Sequence, residues 1–311
     1  MKTYVLDDYE RLAESATDWS GLDATFIHEH LSVSQLAATL TDATAIIIMR
    51  ERTAITDELL AQLPELRLIV TTGTRNAAID IRSCSARGIT VCGTESGPLS
   101  AAELTWGLLL CAARGIPDAV ESLREGDWFN RRAGIDLEGL TLGVVGLGRL
   151  GGRVAKFGRA FGMTILAWSP NLTVDRAAAA GAQLATKDEL FSQSDFVTLH
   201  LVLSEETRGI VGAREFELMK PAAWLINTSR AGLVDNAEMA AACRNSSIGG
   251  AAIDVFNCEP PGEDDELLRL SNVIATPHIG YSTAGTLQTW YVEAVECLRA
   301  FQEGSIVREL T

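Results

Sequence analysis

The sequence has no pair of closely spaced cysteines. Its six cysteines are scattered along the chain, and none forms a C-x-x-C motif. This spacing argues against a disulfide framework and against a zinc site, and it is typical of reduced thiols in an intracellular protein. We therefore expect reduced thiols and no bound metal.

Positive charge is scarce as well. The chain has 26 lysine and arginine residues against 41 aspartate and glutamate residues, which gives a formal net charge of −15. No basic stripe stands out, so nucleic acid and anionic membrane surfaces are poor candidates for partners. An anionic substrate would have to be held by a few well-placed cations.

Long apolar runs are also absent. The longest nearly apolar run, residues 101–113, is interrupted by Glu103 and is too short to cross a bilayer. The first residues read as a β-strand and lack the apolar core of a signal peptide. We expect a soluble, cytoplasmic protein.

Short aliphatic runs alternate with helical patterns along the 311 residues. Continuous aliphatic runs predict strands buried on both faces, as in a parallel sheet covered by helices. The sequence therefore predicts an α/β fold with doubly wound parallel sheets. The predicted strands are residues 3–6, 45–49, 68–71, 90–91, 141–145, 164–168, 196–199, 223–227, 251–255 and 273–275.

The length is sufficient for two domains. A Gly97-Pro98 break precedes one long helical pattern at 101–114, and a second long pattern at 282–303 follows the segment 277–280. We predict one domain from residues 1–97 and 281–311, with residues 98–280 inserted as the second domain. Ligands usually bind in the cleft where such domains meet.

The segment LGVVGLGRLG at residues 142–151 combines a strand, a G-x-G-x-x-G turn and the start of a helix. Gly146 permits the tight turn, Gly148 lets a pyrophosphate approach the backbone, and Gly151 lets the helix pack on its strand. The pattern predicts a dinucleotide site, and an S-adenosylmethionine site is the main alternative. The predicted contacts are Gly146, Gly148, Arg149, Leu150 and Gly151.

The next strand ends at Ser169-Pro170-Asn171, where NAD sites usually place Asp or Glu against the adenosine ribose. Without a carboxylate nothing repels a 2′-phosphate, yet no arginine follows directly to bind one. Arg149 or Arg176 can supply a positive charge. The sequence thus permits NAD and NADP, with a mild preference for NADP.

Three later strands each end in a polar residue: Arg230 in the segment 223–235, Glu259 in 251–260 and His278 in 275–280. Taken singly, each residue also fits a structural role. Together they supply an anion clamp, an acid/base and a carboxylate that orients it, at the sheet edge where open α/β folds bind ligands.

With these residues the chain resembles the D-isomer-specific 2-hydroxyacid dehydrogenase family. The resemblance rests on five motifs in order, at 146–151, 198–208, 227–235, 254–260 and 277–280. It implies a flavodoxin-like substrate domain, a Rossmann domain with the cofactor in the cleft, and a homodimer.

The resemblance assigns catalysis to Arg230, Glu259 and His278. Arg230 would hold the substrate carboxylate and polarise the 2-oxo group. His278 would give a proton to the carbonyl oxygen as hydride arrives, and Glu259 would favour the charged imidazole.

The resemblance also implies that Thr228 and Asp254 contact the nicotinamide or its ribose. It places His200 near the cofactor, although a role in anchoring its own loop fits this histidine equally well.

In the first domain many family members receive the substrate carboxylate on a G-x-G loop. Here Gly73 and Thr74 would do so, while Arg75 replaces the second glycine and acts either as an anion contact or in a structural ion pair. Arg50 and Arg52 follow a strand and either overhang the cleft or remain solvated.

The leading interpretation is an NAD(P)-dependent reductase of a small 2-oxo acid, with glyoxylate or hydroxypyruvate as substrate. One alternative is phosphoglycerate dehydrogenase, which would need additional basic residues for the phosphate. The other is a non-enzymatic, NAD(H)-sensing protein of the corepressor type.

Overall fold

The computed structural model describes residues 1–95, 100–129 and 133–310. The chain divides into two compact units, Met1–Pro98 with Ser282–Thr311, and Leu99–Tyr281. The predicted boundary at residues 97 and 98 lies outside the described residues, and the other predicted boundary differs by one residue from the one after Tyr281. Among the described residues no helix combines the length and the apolarity that a transmembrane span requires.

The first unit contains a parallel sheet, five-stranded within the described residues, in the order β2-β1-β3-β4-β5. The strands are β1 (Lys2–Val5), β2 (Asp23–Phe26), β3 (Ala45–Ile48), β4 (Leu68–Thr71) and β5 (Thr90–Gly93). The helices between them are α1 (Ala13–Ala16), α2 (Val33–Thr39), α3 (Asp57–Leu60) and α4 (Ile81–Ala86), with a 3₁₀ turn at Arg50–Arg52.

The second unit contains a parallel sheet of seven strands within the described residues, in the order β12-β11-β10-β9-β6-β7-β8. The strands are β6 (Thr141–Val145), β7 (Thr164–Trp168), β8 (Gln183–Leu184), β9 (Phe196–Leu199), β10 (Trp224–Asn227), β11 (Gly250–Ile253) and β12 (Val273–Ala275). The helices are α5 (Ser100–Arg114), α6 (Ile116–Arg124), α7 (Arg149–Ala160), α8 (Val174–Ala179), α9 (Lys187–Gln193), α10 (Ala213–Leu218) and α11 (Asn236–Arg244); 3₁₀ turns lie at Ala231–Leu233 and Glu266–Arg269.

The last helix, α12 (Ala284–Gln302), belongs to the first unit. It packs on β4, and its side chains Leu287 and Tyr291 are buried. It occupies most of the predicted helical pattern 282–303.

The continuous aliphatic runs are explained by burial on both sheet faces. In β10, Leu225 belongs to one hydrophobic core of the second unit and Ile226 to the core on the opposite face. In β3 of the first unit, Ile46, Ile47 and Ile48 are all buried. The predicted α/β class with doubly wound parallel sheets is therefore confirmed.

The sequence did not predict two of the strands, β2 and β8, and both lie at sheet edges. β2 has the sequence DATF, and its residues are exposed and half-buried in alternation. β8 has only two residues, Gln183 and Leu184, and both are exposed. Neither strand needs an aliphatic run, because neither is covered on both faces. The predicted strand 251–255 is shifted to Gly250–Ile253, and 90–91 extends to Gly93.

Candidate functional site

The glycine turn joins β6 to α7 in the second unit. Gly146 has φ +98°, and a Cβ atom there would lie 2.8 Å from the carbonyl carbon of His200. A Cβ atom at Gly151 would lie 2.0 Å from the Gly146 carbonyl oxygen. Only glycine fits at these two positions.

The first helical turn of α7, directly after the glycine turn, is open to solvent. Gly148 is exposed, and a Cβ atom there would have no neighbour within 4 Å. Arg149 is exposed, whereas Leu150 packs partly against the core and can offer only its backbone. The N–H groups that begin this 12-residue helix, together with the positive end of its dipole, form a surface that suits a pyrophosphate.

The end of β7 carries no carboxylate. Ser169 is half-buried, and Arg176 donates a hydrogen bond from Nη1 to the carbonyl oxygen of Asn171 at 3.1 Å. The sequence interpretation overlooked Lys187, whose Nζ lies 5.9 Å from the centre of the Trp168 ring. This ammonium forms an ion pair with Glu215 at 2.8 Å.

His200 follows β9, beside the glycine turn. Its backbone N–H donates to the carbonyl oxygen of Val145 at 2.7 Å. The ring atom Nε2 is buried and has no hydrogen-bond partner among the residues that the structure describes. Burial lowers the pKa of His200 to about 4, so the ring is neutral near pH 7.

Arg230 lies in the turn that follows β10. Asn227 donates through Nδ2 to the Arg230 carbonyl oxygen at 3.0 Å, and its Oδ1 accepts from the N–H of Ser229 at 3.0 Å. The Arg230 guanidinium donates to the Ser229 carbonyl oxygen at 2.8 Å. Thr228 is buried, and its hydroxyl lies 2.6 Å from the hydroxyl of Thr105. Asn227 thus organises the turn, a role that the sequence did not reveal.

Glu259 and His278 meet at the ends of the neighbouring strands β11 and β12. The distance between His278 Nδ1 and Glu259 Oε2 is 2.6 Å, and Glu259 Oε1 accepts from the N–H of Phe256 at 2.9 Å. Burial tends to raise the pKa of Glu259, but the hydrogen bonds from His278 and Phe256 and the charge of Arg230 outweigh it, so the pKa is lowered. His278 and Glu259 are therefore in contact, and the charge of Arg230 acts on the Glu259 carboxylate.

The carboxylate of Asp254 holds the turn that carries His278. Its two oxygens accept from the Thr276 hydroxyl at 2.6 Å and from the N–H groups of Ile279 and Gly280 at 2.9 and 2.8 Å. His278 itself has φ +54°, a conformation that non-glycine residues adopt only when their surroundings enforce it.

The burial of Asp254 bears on its predicted role. Its side chain is fully buried, and this burial raises its pKa despite the hydrogen bonds. The resemblance implied a contact with the nicotinamide or its ribose. In the structure the carboxylate accepts the hydrogen bonds of the turn 276–280, and the implied contact with the cofactor stays a prediction.

The predicted carboxylate loop of the first unit follows β4. The Gly73 N–H donates to the hydroxyl of Thr94 at 2.6 Å, an internal hydrogen bond that a substrate carboxylate would have to replace. Thr74 and Arg75 are exposed, and no ion pair to Arg75 is formed by the described part of the chain. This leaves Thr74 as the exposed residue of the predicted pair.

Arg50 and Arg52 have different surroundings. The Arg50 guanidinium lies against Gly73, where a Cβ atom would be 1.9 Å from Nη1, and it stands 5.8 Å from the Trp290 ring centre. Arg52 forms two hydrogen bonds to the carboxylate of Glu10, at 2.7 and 3.1 Å, and is a structural ion-pair partner. Only Arg50 therefore lies against the loop 72–76.

No group of three or more His, Cys, Asp or Glu side chains within residues 1–95, 100–129 and 133–310 is arranged to hold a metal ion. The strands β6, β10, β11 and β12 belong to one parallel sheet, so their carboxyl ends share one edge. The glycine turn, Arg230, Glu259 and His278 therefore lie along the same edge of the second unit, the edge at which open α/β sheets bind ligands.

Comparison with known proteins identifies the family of the chain. Residues 106–280 match the family model of the D-isomer specific 2-hydroxyacid dehydrogenase, NAD binding domain. The D-3-phosphoglycerate dehydrogenase of Methanocaldococcus jannaschii is 39% identical over 274 residues, which cover 85% of this chain and 52% of that protein. The glyoxylate reductase of Aeropyrum pernix is 36% identical over 258 residues, or 80% of this chain and 77% of that protein.

Among solved structures, phosphoglycerate oxidoreductase from Vibrio cholerae O395 matches with a TM-score of 0.93 and 36% identity, covering 98% of this chain and 100% of that one. The chain spans about half the length of the D-3-phosphoglycerate dehydrogenases that it matches. The region that matches the family model contains the glycine turn and the triad of Arg230, Glu259 and His278. The chain belongs to the D-isomer-specific 2-hydroxyacid dehydrogenase family.

Proposed function

We propose that this chain is an NAD(P)-dependent oxidoreductase that interconverts a small 2-oxo acid and its D-2-hydroxy acid. The observation that carries the proposal is the 2.6 Å contact between His278 and Glu259, with the Arg230 charge nearby, on the sheet edge that also holds the glycine turn. A proton donor, an anion clamp and a phosphate cradle are the groups that such a reduction requires.

The glycine turn fits a dinucleotide. A Cβ atom at Gly146 or Gly151 would collide with backbone, and the space beside Gly148 is open. The turn and the first N–H groups of α7 would hold the pyrophosphate. The bound nicotinamide would supply or accept the hydride.

His278 acts as the acid in reduction and as the base in oxidation. Its Nδ1 is bonded to Glu259, so the proton passes through Nε2 to or from the oxygen on C2 of the substrate. Glu259, whose pKa is lowered, stays ionised near neutral pH and stabilises the imidazolium. Arg230 binds the carboxylate and polarises the 2-oxo group with its planar fork of donors.

Two further residues position these groups without contacting the substrate. Asp254 fixes the backbone of the turn 276–280, and Asn227 fixes the backbone around Arg230. Because a displacement of about 1 Å can reduce turnover about 100-fold, both belong to the machinery of the site.

For the substrate, we infer a small 2-oxo acid such as glyoxylate or hydroxypyruvate. The exposed Thr74 backbone would bind the substrate in the first unit, and Arg75 is available as an additional cation at its surface. The similarity to a glyoxylate reductase, of which this chain covers 77%, supports this choice.

Phosphoglycerate is the second candidate, and one observation favours it. The Arg50 guanidinium lies against the loop 72–76, donates weakly to the Thr72 carbonyl oxygen at 3.4 Å and has its Nε 3.6 Å from the Glu51 carboxylate, so a further anionic group would bind its remaining donors. The relatives named D-3-phosphoglycerate dehydrogenase support the same candidate.

An Arg50→Gln variant separates the two substrates. Oxidation of NADH and NADPH is followed with glyoxylate, hydroxypyruvate and phosphohydroxypyruvate. A phosphate-binding role for Arg50 predicts that the variant raises KM for the phosphorylated acid by about 10-fold or more, the value of one charged hydrogen bond, and KM for the other acids by much less. Absence of turnover with every acid, together with tight cofactor binding, would contradict the proposed reaction and favour a nucleotide-sensing protein.

The cofactor preference depends on the end of β7. Ser169 presents no negative charge to a 2′-phosphate, and Arg149 is exposed, so we infer that NADPH is accepted and mildly favoured over NADH. A Ser169→Asp variant should bind NADPH at least 10-fold more weakly because the carboxylate repels the phosphate. Unchanged NADPH saturation would remove Ser169 from the cofactor site.

We also infer a homodimer in which α6 contributes to the interface. No side chain of α6 is buried, and Ile116, Val120 and Leu123 form an exposed apolar stripe on one face. Trp128 and Phe129 are 60% and 89% exposed. Such a patch favours self-association across a two-fold axis.

Light scattering on a Leu123→Glu variant tests the dimer. The variant should be monomeric at concentrations where the parent protein is dimeric, and Val174→Glu, at an exposed position on α8, is the matched control. A monomeric parent protein, or a Leu123→Glu variant that remains dimeric, would contradict the interface.

A further inference from the structure

A pair of hydroxyl groups joins α5 to the turn after β10, within the second unit. Thr105 lies on α5 and is fully buried, and Thr228 directly follows β10. Their Oγ1 atoms are 2.6 Å apart. The Thr105 Oγ1 atom also lies 2.7 Å from the carbonyl oxygen of Ala101, one helical turn earlier. Both distances are those of ordinary O–H···O hydrogen bonds, so Thr105 bonds to a carbonyl group and to a second hydroxyl.

The direction of these two hydrogen bonds follows from the number of protons. A threonine hydroxyl has one proton and two lone pairs, and a carbonyl oxygen can only accept. The bond to Ala101 therefore uses the proton of Thr105. The bond between the two hydroxyls then requires the proton of Thr228, which Thr105 accepts. A Thr105 proton that pointed to Thr228 instead would forfeit the bond to the carbonyl oxygen of Ala101.

The environment of Thr228 gives this direction a consequence. A threonine bonded to the carbonyl group four residues earlier is common in helices and by itself has only a local effect. Here, within residues 1–95, 100–129 and 133–310, the Thr228 hydroxyl has no hydrogen-bond partner other than Thr105. Since its proton is donated to Thr105, the Thr228 hydroxyl has only lone pairs left for a ligand, and it can only accept.

The hydroxyl pair lies close to two turns of the candidate site. Thr228 is two residues before Arg230 in the turn after β10. The start of α5 lies beside the turn that carries His278, because a Cβ atom at Gly280 would be 3.4 Å from the Cβ atom of Ala101. The bond to Ala101 and the bond between the hydroxyls thus connect the two turns through α5.

We propose that Thr105 is a positioning residue that makes the Thr228 hydroxyl an acceptor, so that Thr228 selects a dinucleotide whose ring carries an amide and rejects one that carries a carboxylate. The inference rests on the proposed function, because that function requires the nicotinamide at this sheet edge. The amide nitrogen of nicotinamide donates hydrogen bonds, whereas a carboxylate in its place only accepts. Two acceptors that face each other have no proton to share.

Calorimetry with two dinucleotides tests this direction without turnover. NADP and nicotinic acid adenine dinucleotide phosphate differ only in the amide, which is a carboxylate in the second compound. The parent protein should bind NADP about 10-fold more tightly, because the acid offers no N–H group to the Thr228 hydroxyl. Equal dissociation constants for the two compounds would overturn the inference.

Thr105→Val separates the hydrogen bond from the charge of the acid. The variant removes the acceptor of the Thr228 proton and changes no charge. The freed proton can then be donated to the carboxylate, so the preference for NADP should fall by about 3- to 10-fold. Thr105→Ser retains the hydroxyl and should restore the preference of the parent protein. An unchanged preference in the folded Thr105→Val protein would overturn the role of Thr105.

Thr198→Val is the matched control. Thr198 is a buried threonine on β9 in the same unit, and its hydroxyl has no hydrogen-bond partner in the part of the chain that the structure describes. The control should keep the preference of the parent protein. An equal fall in Thr198→Val and Thr105→Val would show that loss of any buried hydroxyl changes the preference, and would overturn the specific role of Thr105.

Circular dichroism establishes that each variant is folded. If Thr105→Val does not fold, Thr105→Ala provides the same test, since alanine also lacks the hydroxyl and has the highest helix propensity. Failure of the parent protein to bind either dinucleotide would contradict the proposed function and this inference with it. Binding of both by the parent protein, with a preference that neither Thr105→Val nor Thr105→Ala changes, would overturn the inference alone.

Discussion

Two short segments, one in each unit, present polar groups at the end of a buried strand. The turn 276–280 follows β12, and the loop 72–76 follows β4. Each contains a residue with a left-handed backbone, His278 at φ +54° and Gly73 at φ +92°. In the turn, the backbone N–H groups donate to the buried carboxylate of Asp254, whereas in the loop the Gly73 N–H donates to a neutral hydroxyl, that of Thr94.

On the proposed function, this difference predicts that changes in the two segments affect different kinetic constants. The turn carries the His278 ring, which is hydrogen-bonded to the Glu259 carboxylate, and such a pair can act as a general acid or base. The loop lies beside the guanidinium of Arg50, which can bind an anion but does not move a proton near pH 7. Changes in the turn should therefore act on kcat, and changes in the loop should act on KM.

The largest expected effect is that of His278→Ala. Without its acid the enzyme should lose about 10²- to 10⁴-fold in kcat, the usual contribution of a general acid. The dissociation constant of NADPH, measured by fluorescence, should stay near that of the parent protein because the glycine turn is untouched. Full activity in this variant would show that another group supplies the proton.

Arg230→Lys comes next. Lysine keeps the charge but loses the planar fork, so KM for the 2-oxo acid should rise about 10- to 100-fold, corresponding to one charged hydrogen bond. Steady-state kinetics measure this directly. A KM within a factor of two of the parent value would exclude the clamp.

Asp254→Asn tests whether the turn must be held for turnover. An amide cannot accept all three hydrogen bonds in the same way, so we expect kcat to fall about 10-fold while cofactor affinity is retained. Asp235→Asn is the matched control, because Asp235 accepts from the backbone N–H groups of Ala237 and Glu238 at the start of α11. Equal losses of kcat in the two variants would show that Asp254 only stabilises the fold and has no specific role in turnover.

Gly73→Ala tests the loop. The added Cβ atom would collide with the Arg50 guanidinium and force it to move, so KM should rise about 3- to 10-fold with kcat little changed. Gly88→Ala is the control, since Gly88 has φ +68° in the same unit but open space around it. A kcat defect in Gly73→Ala that Gly88→Ala lacks would contradict this separation of the kinetic constants.

The smallest expected effect concerns stability. The pKa of Glu259 is lowered in the folded protein, so its contribution is fully present above its ordinary value of 4.5 and is lost as the pH falls through the lower folded value. Glu259→Gln should thus be less stable than the parent by about 1 kcal/mol or less at neutral pH, because the pair is partly exposed. Urea unfolding from pH 7 to pH 3 should show this gap closing; a gap that widens toward acid would contradict the sign.

The sequence supported the fold well where strands are buried. Runs such as residues 45–48 and 68–71 are apolar throughout because both faces of the sheet are covered. The edge strands β2 and β8 have no such requirement, and with four and two residues they are too short and too polar to give an aliphatic run. The sequence pattern therefore predicts the strands that are buried on both faces and misses those that are not.

The site was predictable only in part for a related reason. Arg230, Glu259 and His278 each follow a strand, so the parallel topology alone places them along one edge. The roles of Asn227 and Asp254 depend on hydrogen bonds to backbone N–H and carbonyl groups several residues away. The internal partner of the Gly73 N–H, the Thr94 hydroxyl, depends on the pairing of β4 with β5. Such hydrogen bonds depend on the folded structure and cannot be predicted from the sequence pattern.

A crystal structure of the protein with NADPH and a non-reactive analogue of a 2-oxo acid tests the proposed catalytic roles most directly. We expect His278 Nε2 within about 3 Å of the analogue's oxo oxygen, the Arg230 guanidinium on its carboxylate, and the pyrophosphate against the glycine turn at 146–151. An analogue bound by other residues, with His278 Nε2 beyond hydrogen-bonding distance of the oxo oxygen, would contradict these roles.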